Sequence, residues 1–162
     1  MTSEEFIKKG LNDLALPVSG DQLRAFLTYL SELKKWNKTY NLTALKTDRD
    51  IIVKHFLDSL LYMKILPGGT LRLADAGSGA GFPGIPLKIM RPELDITLIE
   101  SSRKKTAFLR HIIRLLQLGK TEVLEERIEK LGQDYDKKFD VLVSRATFSI
   151  KEFVDVACPY VK

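Results

Sequence analysis

A short apolar run that ends in an acid and then places glycine at every second position leaves a chain few ways to fold. Leu71-Arg-Leu-Ala-Asp75-Ala-Gly77-Ser-Gly79-Ala-Gly81-Phe82-Pro83-Gly84 is such a stretch. It reads as a buried strand, a tight glycine loop and the start of a helix. Without Cβ atoms the loop turns sharply and lets a ligand lie against its backbone. Asp75 falls at the strand end, facing the crevice that open α/β sheets use for ligands. A second apolar run, Ile96-Thr-Leu-Ile-Glu100, ends in another acid 25 residues on. A carboxylate there accepts both hydroxyls of a ribose, so the stretch points to a nucleoside cofactor. A glycine turn that only packs a helix on a sheet explains the loop but not the two placed acids.

The surrounding pattern agrees. Strands are predicted at 71–75, 95–99, 121–125 and 139–144, with helices near 84–90, 103–118, 127–132 and 149–157. Such alternation implies an α/β fold with a mostly parallel sheet and right-handed crossovers. Residues before it look helical. Thr2 with Glu5 and Ser19 with Gln22 form capping boxes ahead of apolar residues at helical spacing. The second helix is expected to run to about Trp36, followed by a polar turn over 37–43. Thr47 with Asp50 opens a third helix, carrying Ile51, Ile52, His55, Phe56, Leu60 and Leu61, and Pro67-Gly68-Gly69 ends it. The chain thus divides into a helical N-terminal annex, 1–69, and an α/β core, 70–162.

Composition narrows the setting. With 162 residues, 44% of them hydrophobic, the chain holds one good core and a small annex. A net charge of +5 permits an anionic partner. A lone cysteine, Cys158, excludes an internal disulfide and fits a reducing compartment. No apolar run approaches the roughly 18 residues of a membrane span, so the cytoplasm is the expected location, with no membrane partner. Basic residues cluster in two places. Arg103, Arg110 and Arg114 share a helical face in an acid-free stretch, and Lys34, Lys35 and Lys38 are interleaved with Trp36 and Tyr40. Both read as phosphate-binding surfaces for RNA. No Ser/His/Asp or Cys/His constellation and no metal-binding spacing stands out. His55 and His111 read as packing or surface residues, and Cys158 as a small core residue.

The residues also carry a resemblance. Asp75-Ala-Gly77-Ser-Gly79-Ala-Gly81 resembles motif I of class I methyltransferases, which use S-adenosyl-L-methionine. Trp36-Asn37-Lys38-Thr39-Tyr40-Asn41-Leu42-Thr43, His55-Phe56-Leu57-Asp58-Ser59-Leu60, Gly79-Ala-Gly81-Phe82-Pro83-Gly84-Ile85-Pro86-Leu87 and Ser144-Arg145-Ala146 together resemble the RsmG (GidB) family. That resemblance implies a Rossmann-like methyltransferase acting on a guanine N7 of 16S ribosomal RNA, with the RNA or the small ribosomal subunit as partner. It implies cofactor contacts at Asp75, Gly77, Gly79, Gly81, Phe82, Glu100, Ile128, Glu129 and Arg145. Guanine N7 has a lone pair and no proton, so the transfer needs no general base, only positioning and a suitable field.

Class I methyltransferases continue past a fourth strand into a fifth strand, a helix and an antiparallel pair. The sequence shows no such strands after residue 157. The expectation is an open edge along 139–144, prone to self-association, and an acceptor pocket that is incomplete. Two alternatives remain at this level. Gly79-Ala-Gly81-Phe82-Pro83-Gly84 is literally G-x-G-x-x-G, with Glu100 near the offset of an NAD-type oxidoreductase. Pro83 weighs against it by removing an N–H where a pyrophosphate needs donors. The other alternative is a truncated remnant that binds cofactor or RNA without activity.

Overall fold

The structure, a computed structural model, describes residues 1–145 and 147–162; Ala146 of the Ser144-Arg145-Ala146 motif lies outside them. Both expected capping boxes form. Thr2 opens α1 (Ser3–Asp13) and Ser19 opens α2 (Gly20–Tyr40). Helix α2 runs four residues past its expected end. Asn37 is buried there, and its side-chain oxygen accepts the Thr43 N–H at 2.9 Å. A buried amide that folds back on the chain leaving the helix keeps the last turn intact. Asn41 then stops it in the left-handed region, φ 50°.

The third helical segment changes pitch along its length. Helix α3 (Asp48–Ile51), capped by Thr47, passes into π-helical Ile52–Leu57, then α4 (Asp58–Leu60) and a 3₁₀ turn, Leu61–Lys64. π-helical turns are rare and gather at functional sites.

Among the described residues the sheet has strands β1 (Arg72–Ala76), β2 (Asp95–Ile99), β3 (Thr121–Leu124) and β4 (Val141–Ser144). They are ordered β3-β2-β1-β4 and all parallel. In β1 and β2 every residue after the first is buried, as expected for central parallel strands covered on both faces. Helices α5 (Gly84–Met90), α6 (Arg103–Leu115) and α7 (Ile150–Ala157) follow β1, β2 and β4. After β3 the expected helix is only the 3₁₀ turn Ile128–Lys130. Leu73, Ile96, Leu98 and Val143 point to one face of the sheet, where α5, α6 and the N-terminal helices join them in a single cluster. Ala74, Ala76 and Ile99 point to the other, against Ile128, Phe139 and Tyr160.

The outer edge of β4 is not bare along its whole length. After α7 the chain returns, and Val161 bridges Phe139 in parallel. The Phe139 N–H donates to the Tyr160 carbonyl at 3.0 Å, and the Lys162 N–H to the Phe139 carbonyl at 3.0 Å. The expected open edge is therefore met at its start by the chain's own residues.

Tyr29 ties the helices to the sheet. Fully buried on α2, it lies against Phe56 and Phe82, with ring centroids 5.2 and 5.4 Å away, and its hydroxyl donates to the Ala80 carbonyl at 2.6 Å. Tyr29→Phe leaves that carbonyl without its donor, a cost of about 1–3 kcal/mol for a buried group. The expected result is a melting temperature lower by roughly 2–10 °C in a thermal scan, with helical content unchanged.

Candidate functional site

The glycine loop is shaped by where its amides go. Gly77, Gly79 and Gly81 have φ of 69°, 58° and 106°. The N–H groups of Gly77 and Ser78 donate to the Ile99 carbonyl at 2.8 and 3.1 Å, and those of Gly81 and Phe82 to the Ser78 carbonyl at 2.8 and 2.9 Å. The Gly79 N–H donates to Glu100 Oε2 at 2.7 Å, and the Gly84 N–H to Asp75 Oδ2 at 2.8 Å. Pro83 has none. Among the described residues, a pyrophosphate would find only the Ala80 amide of this loop unpaired, and it would meet the Glu100 carboxylate. This disfavours the NAD-type alternative, because phosphate sites at helix starts work through exposed N–H groups.

Two cavities open on this loop, both at the carboxyl edge of the sheet. The first, about 390 Å³, is walled by Glu100 and Ser101 after β2 and by Glu126, Arg127, Ile128 and Glu129 after β3. The second, about 590 Å³, is walled by Leu42 and Leu45, by Lys54, His55 and Asp58 from the pitch-changing helix, and by Phe82 and Arg145. They share Gly77, Gly79, Lys105 and Thr147. A Cβ on Gly79 would meet no atom within 4 Å, so its Cα opens onto the shared space. One on Gly81 would run into Ile85 and the Tyr29 hydroxyl at 2.6 and 2.7 Å. The cavities differ in charge. Glu100, Glu126 and Glu129 outnumber Arg127 and Lys105 in the first, while Lys54, Lys105 and Arg145 outnumber Asp58 in the second, although Lys54 also pairs with Asp50 at 3.0 Å.

Of the residues expected at a cofactor, Gly77, Gly79, Glu100, Ile128 and Glu129 line the first cavity. Phe82 and Arg145 line the second. Asp75 and Gly81 line neither. The expectation that Asp75 faces the crevice is corrected: side chains alternate along a strand, so Asp75 points with Leu73 beneath α5. There it is fully buried, and its Oδ1 has no hydrogen-bond partner. Burial raises its pKa to about 7, against the Gly84 N–H and the Arg145 charge, which lower it.

The basic residues also redistribute. Arg103 is exposed in the first turn of α6, but Arg110 is paired with Glu125 at 3.0 Å. At 1.5 Å rise per residue, Arg110 and Arg114 lie about 10 and 16 Å further along the helix. Lys34 pairs with Asp48, and Lys35 lies 3.8 Å from Glu32. Lys38 is exposed, with no ion-pair partner among the described residues. Lys105 belongs to the acid-free basic stretch expected to meet RNA, while Lys54 carries no sequence expectation; both line the second cavity. Cys158, expected in the core, is exposed. His111 meets the packing expectation, 2.6 Å from Glu32 and against Trp36.

His55 does more than pack. Its ring stacks on Phe82 at 4.3 Å and 15°. Nδ1 lies 2.7 Å from Arg145 Nη2, and Nε2 lies 2.8 Å from Thr43 Oγ1. A guanidinium has only donors, so Nδ1 must accept and Nε2 carries the proton toward Thr43. Burial, then the Arg145 charge, lower the pKa to about 4, which keeps the ring neutral. Arg145 Nη1 donates to the Lys54 carbonyl at 2.6 Å and to Asp58 Oδ2 at 3.0 Å. Among the described residues no three His, Cys, Asp or Glu side chains are grouped to hold a metal ion, and no helix is long and apolar enough to cross a membrane.

The family model of GidB, rRNA small subunit methyltransferase G, matches residues 22–162. The chain is 42% identical to ribosomal RNA small subunit methyltransferase G of Geotalea uraniireducens and 41% identical to that of Geobacter sp. strain M21. Each alignment covers 99% of this chain and 73% or 74% of the relative. Among solved structures it superposes on a SAM-dependent methyltransferase from Aquifex aeolicus with a TM-score of 0.57 at 18% identity, over 82% of this chain and 67% of that one. Coclaurine N-methyltransferase, solved with N-methylheliamine and SAH, gives 0.61 at 10% identity, over 98% and 56%. At such identities the structures establish the class I methyltransferase fold.

The two shifted groups pull stability in opposite directions with pH. Asp75 titrates higher folded than unfolded, so its contribution is complete at low pH and is lost as pH rises toward 7. His55 titrates lower folded than unfolded, so its contribution is present above the ordinary 6.5 and is lost as pH falls toward 4. Asp75→Asn removes the falling component. Urea midpoints at pH 5 and pH 7 are expected to show this variant gaining more stability with pH than the parent, by about 1 kcal/mol or more, since one pKa unit carries ~1.4 kcal/mol.

Proposed function

The chain belongs to the GidB family, rRNA small subunit methyltransferase G, and from that premise we propose that it transfers a methyl group from S-adenosyl-L-methionine to N7 of a guanine in 16S ribosomal RNA. The observation that carries this reading is the pair of oppositely charged cavities meeting at Gly79. The acid-rich one suits the cofactor. Two lone-pair sites of Glu100 hold the Gly79 and Ser102 N–H groups. A carboxylate offers about four, which leaves two for the ribose hydroxyls. Ile99 and Ile128 supply apolar surface for an adenine, and Glu129 an acceptor beside it. Bound there, S-adenosyl-L-methionine supplies an electrophilic methyl group on a cationic sulfur.

The second cavity suits the acceptor nucleotide. Leu42, Leu45 and Phe82 give apolar walls for a base, Lys105 gives a cation for its phosphates, and Lys54 and Arg145, paired with Asp50 and Asp58, add positive charge beside it. N7 loses no proton on methylation, so these side chains have only to hold the base and shield it from water. His55 is already neutral and committed at both nitrogens, which fits a site without a general base. N7 is hidden in the deep groove of an RNA duplex, so the guanine is expected in a loop or an opened end. The work takes place in the cytoplasm, on 16S ribosomal RNA or the small subunit.

Two measurements test this. Gly79→Asn keeps the left-handed backbone that Asn tolerates but fills the shared space. The expected result is a folded protein that no longer binds S-adenosylhomocysteine in calorimetry. Glu100→Gln is expected to weaken binding by about 1.5–3 kcal/mol, the worth of hydrogen bonds to a charged group. Undiminished affinity in both would sink the cofactor reading.

For RNA, Lys105→Gln is expected to flatten the log–log salt dependence of binding by about 0.7, the value for one single-strand phosphate contact. Lys54 and Arg110 are each paired at 3.0 Å, with Asp50 and Glu125, so Lys54→Gln and Arg110→Gln are expected to leave it nearly unchanged. Equal slopes for all three would move the RNA path away from the second cavity.

A further inference from the structure

Arg145 is held more tightly than a residue needs to be for packing alone. Its guanidinium has five N–H donors. Nη1 serves the Lys54 carbonyl and Asp58, and one Nη2 hydrogen serves His55. The Lys54 carbonyl, the His55 ring and the Asp58 carboxylate come from within five residues of the π-helical segment and its exit, and they wrap one edge of the arginine. Two donors remain, the second Nη2 hydrogen and Nε–H. The side chain keeps 20% of its surface exposed, on the wall of the second cavity and 5.4 Å from the centre of the Phe82 ring.

We propose that His55 is a positioning residue: in the one tautomer its contacts permit, it fixes Arg145 as the donor that selects guanine over adenine in the second cavity. The inference rests on reading that cavity as the acceptor's. Guanine presents O6, an acceptor, where adenine presents an amino group, a donor. Arginine has donors only, so a fixed Arg145 welcomes the first and opposes the second. A free arginine would swing away from adenine and lose the discrimination. The Lys54 carbonyl and Asp58 hold Nη1, and His55 Nδ1, by accepting from Nη2, fixes the angle of the guanidinium plane. The ring is itself clamped by Thr43 on Nε2 and by Phe82 on its face. Either the protonated ring or the other tautomer would set an N–H against the guanidinium.

Guanosine and adenosine 5′-monophosphate are the probes, titrated into the full chain with and without S-adenosylhomocysteine. The unmodified protein is expected to prefer the guanine nucleotide by about tenfold, at the lower end of single-base discrimination. His55→Asn sets a carboxamide oxygen near the Nδ1 position and is expected to keep the preference. His55→Gln keeps a partner for Thr43 but removes the acceptor for Arg145, and with Arg145→Lys it is expected to bring the ratio close to one. Melting temperature is expected to hold in all three, and S-adenosylhomocysteine affinity in the two His55 variants. Equal binding of the two nucleotides by the unmodified protein overturns the proposal, and so does equal behaviour of His55→Asn and His55→Gln. If S-adenosylhomocysteine fails to bind, the cofactor reading falls, while the nucleotide ratio measured without it still decides the role of His55.

Discussion

The site depends on the rule that buried amides must be paired, and on how residues 77–84 meet it. Six N–H groups of the loop turn inward, to Ile99, Ser78, Asp75 and Glu100. Glu100 closes the arrangement by reaching back from the end of β2 to the Gly79 amide and forward to Ser102. A loop satisfied in this way is rigid before any ligand arrives, and it faces the crevice with a carboxylate. The same glycine spacing with its amides turned outward would be an anion site. The identity of the ligand class is thus decided by hydrogen-bond direction, which the glycines alone do not specify.

The N-terminal helices complete the site as well as the core. Residues 42–58 supply much of one wall of the second cavity, and Tyr29 and Phe56 pack against Phe82 in the loop. Moving α2 relative to the sheet would move Phe82, and with it the platform under His55. The change of pitch after Ile51 brings a carbonyl, an imidazole and a carboxylate to one arginine from a distant strand end. In an ordinary α-helix residues one apart point in different directions, so Lys54 and His55 reach Arg145 by different parts: one through backbone, the other through its ring.

The sequence carried the strand–glycine–helix unit, the helix caps and the four parallel strands, because periodicity and capping are local signals. Glu100 was legible for the same reason, as an acid ending an apolar run. Asp75 was misjudged because strand alternation sends it under α5, and only the register of β1 decides that. Arg110 and Lys34 looked free because their partners, Glu125 and Asp48, are 15 and 14 positions away. His55 falls in a stretch that carries the family resemblance, but nothing in the sequence marks its role. Its role depends on Arg145, 90 positions on, and on a helix pitch that no residue pattern announces. The end of α2 was missed because Asn37, read as a turn residue, caps its own exit from inside the core.

The fields on the two sides of the loop differ in sign. On the proposed assignment of the cavities, a cationic sulfur would lie beside Glu100, Glu126 and Glu129, and a phosphorylated nucleotide beside Lys54, Lys105 and Arg145. If both sets lined one pocket they would neutralise each other as ion pairs, and such exposed pairs hold little energy. Separated by the glycine loop, the two sets do not pair with each other, although Lys54 and Arg145 pair locally with Asp50 and Asp58. Lys105 stands where the two cavities join, so its charge is felt on both sides. It favours the incoming phosphate and opposes excess positive charge in the first cavity. As methyl transfer discharges the sulfur and leaves a positive charge on the guanine ring, the first cavity loses its reason to hold the product and the second gains a cation it is poorly built to keep. That reversal favours release from both sides without any residue having to move a proton.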